Sequence, residues 1–217
     1  MRIVGWMSRV LAYMDGFAGV PATPAPARGA VVLVHGIHST SADFTRLARR
    51  LRVEGHEVMM LDLVPNNGAA GLDVLARQLA DFVEENLPGR RFNLVGFSMG
   101  GLVSRYYMQR LGGARWVDHF VTIAAPHHGT LMAVANRLPG GVQMRRNSAF
   151  IRDLALDQDC LENVKFTSFY TPLDVIIVPG RSSEMPQARN VRIWALMHPS
   201  LILEKRCLRA VAAVLRE

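Results

Sequence analysis

"FNLVGFSMGGLVSRYY", Phe92 to Tyr107, decides how this chain is read. Leu94 and Val95 belong to an apolar run that stops at Gly96-Phe97-Ser98-Met99-Gly100, and a helical pattern starts at once. A serine held between two glycines at such a junction has a physical rationale. Raising a side chain above the edge of a sheet takes a sharp turn, with backbone strain at the raised residue. Side chains at Gly96 or Gly100 would collide with the neighbouring strand and helix. The pattern Gly-x-Ser-x-Gly between a buried strand and a helix therefore marks Ser98 as a nucleophile with an exposed hydroxyl. The helix that follows brings its positive dipole end, and the Met99 N–H is aimed at a developing oxyanion.

Working outward, "AVVLV" (Ala30 to Val34) is wholly apolar and β-branched, which predicts a strand buried on both faces. Thr40 with Asp43 fits a capping box, and Phe44, Leu47, Ala48 and Leu51 mark one helix face. Glu57 to Val64 is the next strand. Leu72, Leu75, Leu79, Phe82 and Val83 mark a second amphipathic helix, closed by Pro88-Gly89. Phe92 leads the third strand, and Gly101 to Leu111 is the helix after Ser98. Strands follow at His119–Ala125, Val164–Tyr170 and Asn190–Leu196, and Leu208, Val211, Ala212 and Leu215 give a last helix. Strands alternating with helices predict a parallel sheet covered on both faces. In such sheets the site lies at the carboxyl ends of the strands.

The residues just after each strand therefore carry the chemistry. His35-Gly36-Ile37 follows the first strand; Gly36 lets the backbone approach closely, and an N–H there can form the second half of an oxyanion hole. Serine needs a base, and the base an orienting carboxylate. Asp174 follows the fifth strand and His198 the sixth, in the order serine, acid, histidine. Glu184 is the rival acid. Asp118, Asp153, Asp157, Asp159 and Glu162 read as solvated charges. His127 and His128 in "AAPHHGT" are rival bases but precede Asp174, so they read as pocket-wall residues, with a metal pair as the lesser reading. His35, Gly36, His38, Phe97 and Met132 complete the expected substrate-binding set. No His, Cys, Asp and Glu cluster has metal-ligand spacing, so no metal is expected.

Composition limits the alternatives. The chain has 217 residues, a formal charge of +7 and half its residues apolar, which suits one domain with a full core. Arginine supplies nearly all the basic residues in short scattered clusters without interleaved aromatics, which argues against nucleic-acid binding. Cys160 and Cys207 cannot form a disulfide framework. Residues 1–29 read as an amphipathic helix followed by the Pro/Ala linker "PATPAPARG". That helix is expected to dock on the body or to lie peripherally on a membrane, with a cleaved signal peptide as a third reading. A cytoplasmic location is expected, with export kept as an alternative.

On "VVLVHGIHS", "LVGFSMGGLVSRYY", "VTIAAPHHGT", "FYTPLDVIIVPGRS" and "ALMHPSLIL", the chain from about Ala30 onward resembles the α/β-hydrolase family, and within it the small lipases and esterases. The elbow "HSMGG" of those lipases appears here as "FSMGG". The resemblance implies a three-layer α/β-hydrolase fold over 30–217, with a minimal, mostly parallel sheet of about six strands. It implies Ser98 as nucleophile, Asp174 as acid, His198 as base, and the Ile37 and Met99 backbones as the oxyanion hole. It implies chemistry that needs no metal or organic cofactor, and a cap- or lid-like helical insert over about 126–163, whose apolar residues, Met132 and Met144 among them, would pack on the sheet, form an acyl pocket, or do both. The expected activity is hydrolysis of a carboxylic ester or lipid through an acyl-enzyme. The rivals are an acyltransferase, thioesterase or amidase on the same residues, and a basic binding protein without catalysis.

Overall fold

The computed structural model describes residues 28–195 and 197–217. The helix and most of the linker read over 1–29 lie outside the described residues. Six strands form one sheet: β1 (Arg28–Val34), β2 (His56–Leu61), β3 (Phe92–Phe97), β4 (Val117–Ile123), β5 (Lys165–Tyr170) and β6 (Arg189–Arg192). Their spatial order is β2-β1-β3-β4-β5-β6, and every pairing is parallel.

Strand alternation assigns the two faces. In β1, Val31 and Leu33 face α1 (Thr45–Val53) and α6 (Lys205–Val214), with Leu47, Leu51, Leu208 and Val211 beneath them. Ala30, Val32 and Val34 face the opposite way, toward α2 (Leu72–Asn86) and α3 (Met99–Arg110), against Leu75, Leu79, Leu102 and Val103. Burying each such Val or Leu contributes about 1.5–3 kcal/mol relative to leaving it exposed. The two apolar layers therefore hold the three-layer α/β-hydrolase fold together. All six residues of β3 are buried, as a central parallel strand requires.

Several boundaries differ from the sequence reading. The Thr40 capping box opens a 3-10 turn, Ser41–Phe44, and α1 begins only at Thr45. Strand β2 stops at Leu61, because Leu63 N–H leaves the ladder to donate to His35 Nε2 at 2.9 Å. Strand β6 is the short Arg189–Arg192 rather than a run to Leu196; an edge strand with mostly exposed side chains gains little by extending.

The segment 126–163 divides by face. It holds a 3-10 turn (Leu131–Ala135), α4 (Pro139–Gln143), α5 (Ala149–Ala155) and a second 3-10 turn (Gln158–Leu161). Ala133, Met144, Phe150, Ile151, Leu154 and Leu161 are buried in the same core as α2 and α3. Leu131, Met132, Val134 and Leu138 remain exposed. Met144 is therefore a core residue. Asp153 and Asp157 are not free solvated charges: both bind Arg110 of α3, at 2.8 and 2.6 Å. Asp118 likewise pairs with Arg91.

Candidate active site

Ser98 sits between β3 and α3 with φ 53° and ψ −122°. A non-glycine residue held there stores about 1–3 kcal/mol of strain. Its surroundings enforce that geometry. The Ser98 N–H donates to Ile123 O at 2.9 Å, and Gly101 N–H donates to Ser98 O at 3.0 Å. A Cβ on Gly96 would lie 2.7 Å from Gly101 Cα, and one on Gly100 would overlap the carbonyl oxygens of Val34 and His35. Helix α3 thus starts directly against the end of β1, and only glycine permits that approach.

This approach also brings the β1 loop to the serine. A Cβ on Gly36 would lie 3.0 Å from Ser98 Cβ and 3.2 Å from the Phe97 ring. Among the described residues, neither the Ile37 nor the Met99 backbone N–H donates a hydrogen bond. Two unspent donors therefore stand next to residues that border or form the strained turn, Gly36 and Ser98.

Asp174 and His198 meet on the other side. His198 Nδ1–H donates to Asp174 Oδ2 at 2.8 Å. The other carboxylate oxygen, Oδ1, accepts from Ile176 N–H at 2.8 Å and Ile177 N–H at 2.9 Å. Thr171 O–H donates to Ala195 O at 2.9 Å, so the loops after β5 and β6 are tied just before each functional side chain. The imidazole lies against Phe97, with ring centroids 4.9 Å apart. It therefore stands beside the residue that precedes Ser98. All three side chains are nearly buried: Ser98 is 4 % exposed, His198 5 % and Asp174 7 %. Burial removes competing water and strengthens each charge interaction.

The other residues expected here divide. Gly36, Ile37, Phe97 and Met99 gather at the serine. His35 is buried and committed: Nδ1–H donates to Gly36 O at 2.8 Å, and Nε2 accepts from Leu63 N–H. It braces the loop and presents no free nitrogen to a ligand. His38 is exposed, with φ 55°, and its N–H donates to Asn66 O. Met132 is exposed on the insert. His128 Nε2–H donates to Glu184 O at 3.0 Å, and burial lowers its pKa. Glu184 itself engages Tyr170, whose pKa that hydrogen bond raises. His127 does not form a pocket wall. It packs edge-on to Phe166 inside the fold, and its Nε2–H donates to Thr122 Oγ1 at 3.0 Å. Thr122 passes the chain to Ser168 at 3.0 Å, and Ser168 to Ser183 O at 2.6 Å. Burial first, then the Arg105 charge, pushes the His127 pKa well below its ordinary value.

Arg105 escaped the sequence reading. It is buried, and its guanidinium donates to His127 O at 3.1 Å and Leu154 O at 2.9 Å. Desolvation lowers its pKa to about 10. It ties α3 to the β4 loop and to α5. No local signal marks it, because α3 also carries Gln109 and Arg110 at partly exposed positions. No group of three or more His, Cys, Asp and Glu side chains among the described residues is placed to hold a metal.

Comparison with known proteins fits this frame. Residues 30–173 match the model of the family described as palmitoyl protein thioesterase. The chain belongs to that family. The match includes Ser98 and ends just before Asp174, and His198 lies beyond it. Methylesterase 10 of Arabidopsis thaliana is 31 % identical over 129 residues, which cover 52 % of this chain and 46 % of that protein. The chain thus spans about half the length of that relative, and likewise 42 % of the probable esterase PIR7A of Oryza sativa. Bacillus licheniformis lipase BlEst2 in mature form superposes with a TM-score of 0.72 at 19 % identity, covering 92 % of this chain and 97 % of the other. Aspergillus fumigatus lipase B gives 0.75 at 17 % identity, over 92 % and 56 %. These likenesses establish the α/β-hydrolase fold.

Proposed function

We propose that the protein is a serine carboxylic-ester hydrolase that works through an acyl-enzyme. The observation that carries the reading is the Asp174–His198 hydrogen bond at 2.8 Å, with the imidazole packed on Phe97 beside the strained Ser98. Because Nδ1 carries the proton given to Asp174, Nε2 is left with a lone pair. That lone pair takes the Ser98 proton as Oγ attacks the acyl carbonyl. The Ile37 and Met99 N–H groups receive the oxyanion of the tetrahedral intermediate. His198 then returns the proton to the leaving oxygen, and water releases the acid by the same steps in reverse. Asp174 holds the tautomer and stabilises the imidazolium.

Family membership favours a second substrate class on the same machinery, an acyl thioester. Thiolate is the better leaving group and needs less protonation by His198, so the two classes separate experimentally. A fluorophosphonate probe should label the protein, with the adduct mapped to the Ser98 peptide by mass spectrometry. Matched octanoyl oxy- and thioesters then rank the classes by kcat/KM. Labelling elsewhere, or labelling that persists in Ser98→Ala, would overturn the mechanism.

A further inference from the structure

The end of the sheet opposite Ser98 holds a polar cavity that the hydrolase reading does not use. It measures about 520 Å³ and lies between the amino ends of the strands and Leu215, at the end of α6. Strand alternation explains how it forms. Val58, Val95 and Val121 belong to the apolar layer under α1 and α6. Two residues earlier on each strand, and so on the same face, stand His56 of β2, Asn93 of β3 and His119 of β4. Lys165 of β5 pairs in register with His119. The apolar layer thus ends in a polar row. Strand β1 contributes Gly29 to it. A Cβ there would meet only Asn93 Nδ2, at 3.7 Å, so the glycine borders open space.

The row is buried but spends few of its hydrogen bonds inside the fold. His56, Asn93 and His119 are 4 %, 6 % and 7 % exposed. His56 Nδ1–H donates to Gly29 O at 3.1 Å, which leaves Nε2 an acceptor without a partner. Asn93 Oδ1 is buried without a partner as well. Among the described residues, neither the Asn93 amide nor the His119 ring enters a hydrogen bond. Buried polar groups are nearly always paired, so three such side chains lining one cavity mark a binding site.

The chemistry of the walls says what fits. Arg28, Arg91 and Lys165 line the cavity together with one acid, Asp118. Asp118 is paired with Arg91. Glu217, at the margin, pairs its side chain with Arg189, and its carbonyl accepts from Lys165 at 3.0 Å. Arg28 enters no ion pair among the described residues, and a free guanidinium suits a phosphate. Burial, then the Lys165 charge, lowers the His119 pKa, so near neutral pH its ring offers one donor and one acceptor. The Asn93 amide likewise offers both. Hydroxyl groups, which donate and accept, match such a row. Leu215 is the one apolar side chain in the lining, and no Phe, Tyr or Trp is present to stack a nucleobase.

We propose that this cavity binds a small phosphorylated polyol of the sugar-phosphate kind, with its phosphate at Arg28 and its hydroxyls along His56, Asn93 and His119. Asn93 precedes Ser98 by five residues, about 16 Å at the rise of a strand, so the bound molecule stays clear of the serine. The proposal does not depend on the hydrolase reading.

The test is isothermal titration calorimetry of the full chain with glucose 6-phosphate, glucose and inorganic phosphate, before and after fluorophosphonate treatment. Glucose 6-phosphate should bind more tightly than either of the others, and equally before and after the treatment. In a heteronuclear NMR titration the imidazole signals of His56 and His119 should shift, and that of His198 should not. Arg28 and Gly29 are exposed, so their variants test the site without disturbing the core. Arg28→Glu should weaken binding about ten-fold or more, since repulsion replaces a charge-assisted contact. Gly29→Leu should abolish it by filling the cavity, with circular dichroism unchanged. Absence of binding by all three compounds would overturn the proposal. So would binding that both variants leave intact, or that fluorophosphonate treatment removes. Inorganic phosphate bound as tightly as glucose 6-phosphate would overturn the role given to the hydroxyls.

Discussion

His198 and His127 occupy comparable places and do opposite things. Each follows a parallel strand or its extension at the carboxyl edge of the sheet, and each is buried, 5 % and 1 % exposed. His198 donates to a carboxylate, whereas His127 donates to the neutral hydroxyl of Thr122 and lies near the Arg105 guanidinium. A carboxylate partner stabilises the imidazolium that proton abstraction creates; a nearby cation opposes it. The same residue type at the same sheet edge is thus given the surroundings of a proton acceptor in one loop and those of a fixed hydrogen-bond donor in the other. Position relative to the strands selects candidates, and the charge of the partner decides between them.

The sharpest way to break that contrast is to remove each histidine in turn. Ser98→Ala and His198→Ala should each lower kcat for p-nitrophenyl octanoate by about 10⁶-fold, as loss of a serine nucleophile or its base does elsewhere. His127→Ala, compared per amount of folded protein, should cost less than about tenfold, since the residue only braces the β4 loop. An equal loss in His127→Ala would reassign the base. Asp174→Asn comes next. The amide keeps the shape of the contact with His198 but disfavours the required tautomer, and a loss of about 10⁴-fold is expected. Glu184→Gln should be nearly silent, and a larger effect there than at Asp174 would move the acid.

Gly36→Ala probes the serine side of the comparison with a smaller effect. The added methyl would lie 3.0 Å from Ser98 Cβ, tighter than ordinary packing. Displacing the Ile37 N–H by a fraction of an ångström should lower kcat by about 10²-fold, with circular dichroism unchanged. Retention of full activity would show that the β1 loop supplies no oxyanion donor.

Much of this arrangement could be read from the chain before any coordinates. Apolar runs specified β1 and β3, and the Gly96 to Gly100 turn specified the strand-to-helix junction, although α3 begins at Met99 rather than at Gly101. The Asp174 and His198 loops followed from their places after the fifth and sixth expected strands and from the serine, acid, histidine order, with Glu184 as the rival acid. What stayed hidden depends on long-range pairing. Nothing local distinguishes Arg105, which spends its donors on carbonyls 22 and 49 residues away, from the solvated arginines around it. The interior fate of His127 likewise depends on Thr122 and Ser168 meeting across β4 and β5. The insert misled for a related reason. Periodicity shows that a short helix has an apolar side, but Met144 went to the core while Leu131 stayed outside, and only the packing of α4 against α2 and of α5 against α3 decides which.

The smallest expected effect concerns stability, and it isolates His127 from the chemistry. Burial, then Arg105 and His128, holds the folded His127 pKa well below 6.5, whereas the unfolded imidazole titrates near its ordinary value. Between those two values the unfolded chain binds the extra proton. Stability contributed by the neutral His127 is therefore complete above about pH 6.5 and is lost as pH falls below it, by up to about 1.4 kcal/mol per pH unit. His127→Gln keeps an amide N–H for Thr122 and removes the titration. Its urea midpoint should stay close to the wild-type value at pH 8 and decline less steeply between pH 6.5 and 5. His128 and His119, whose pKa values burial also lowers, leave a residual slope of the same sign. Identical slopes in wild type and His127→Gln would mean that His127 takes up its proton in the folded state as readily as in water. The contrast with His198 would then rest on the partner carboxylate alone.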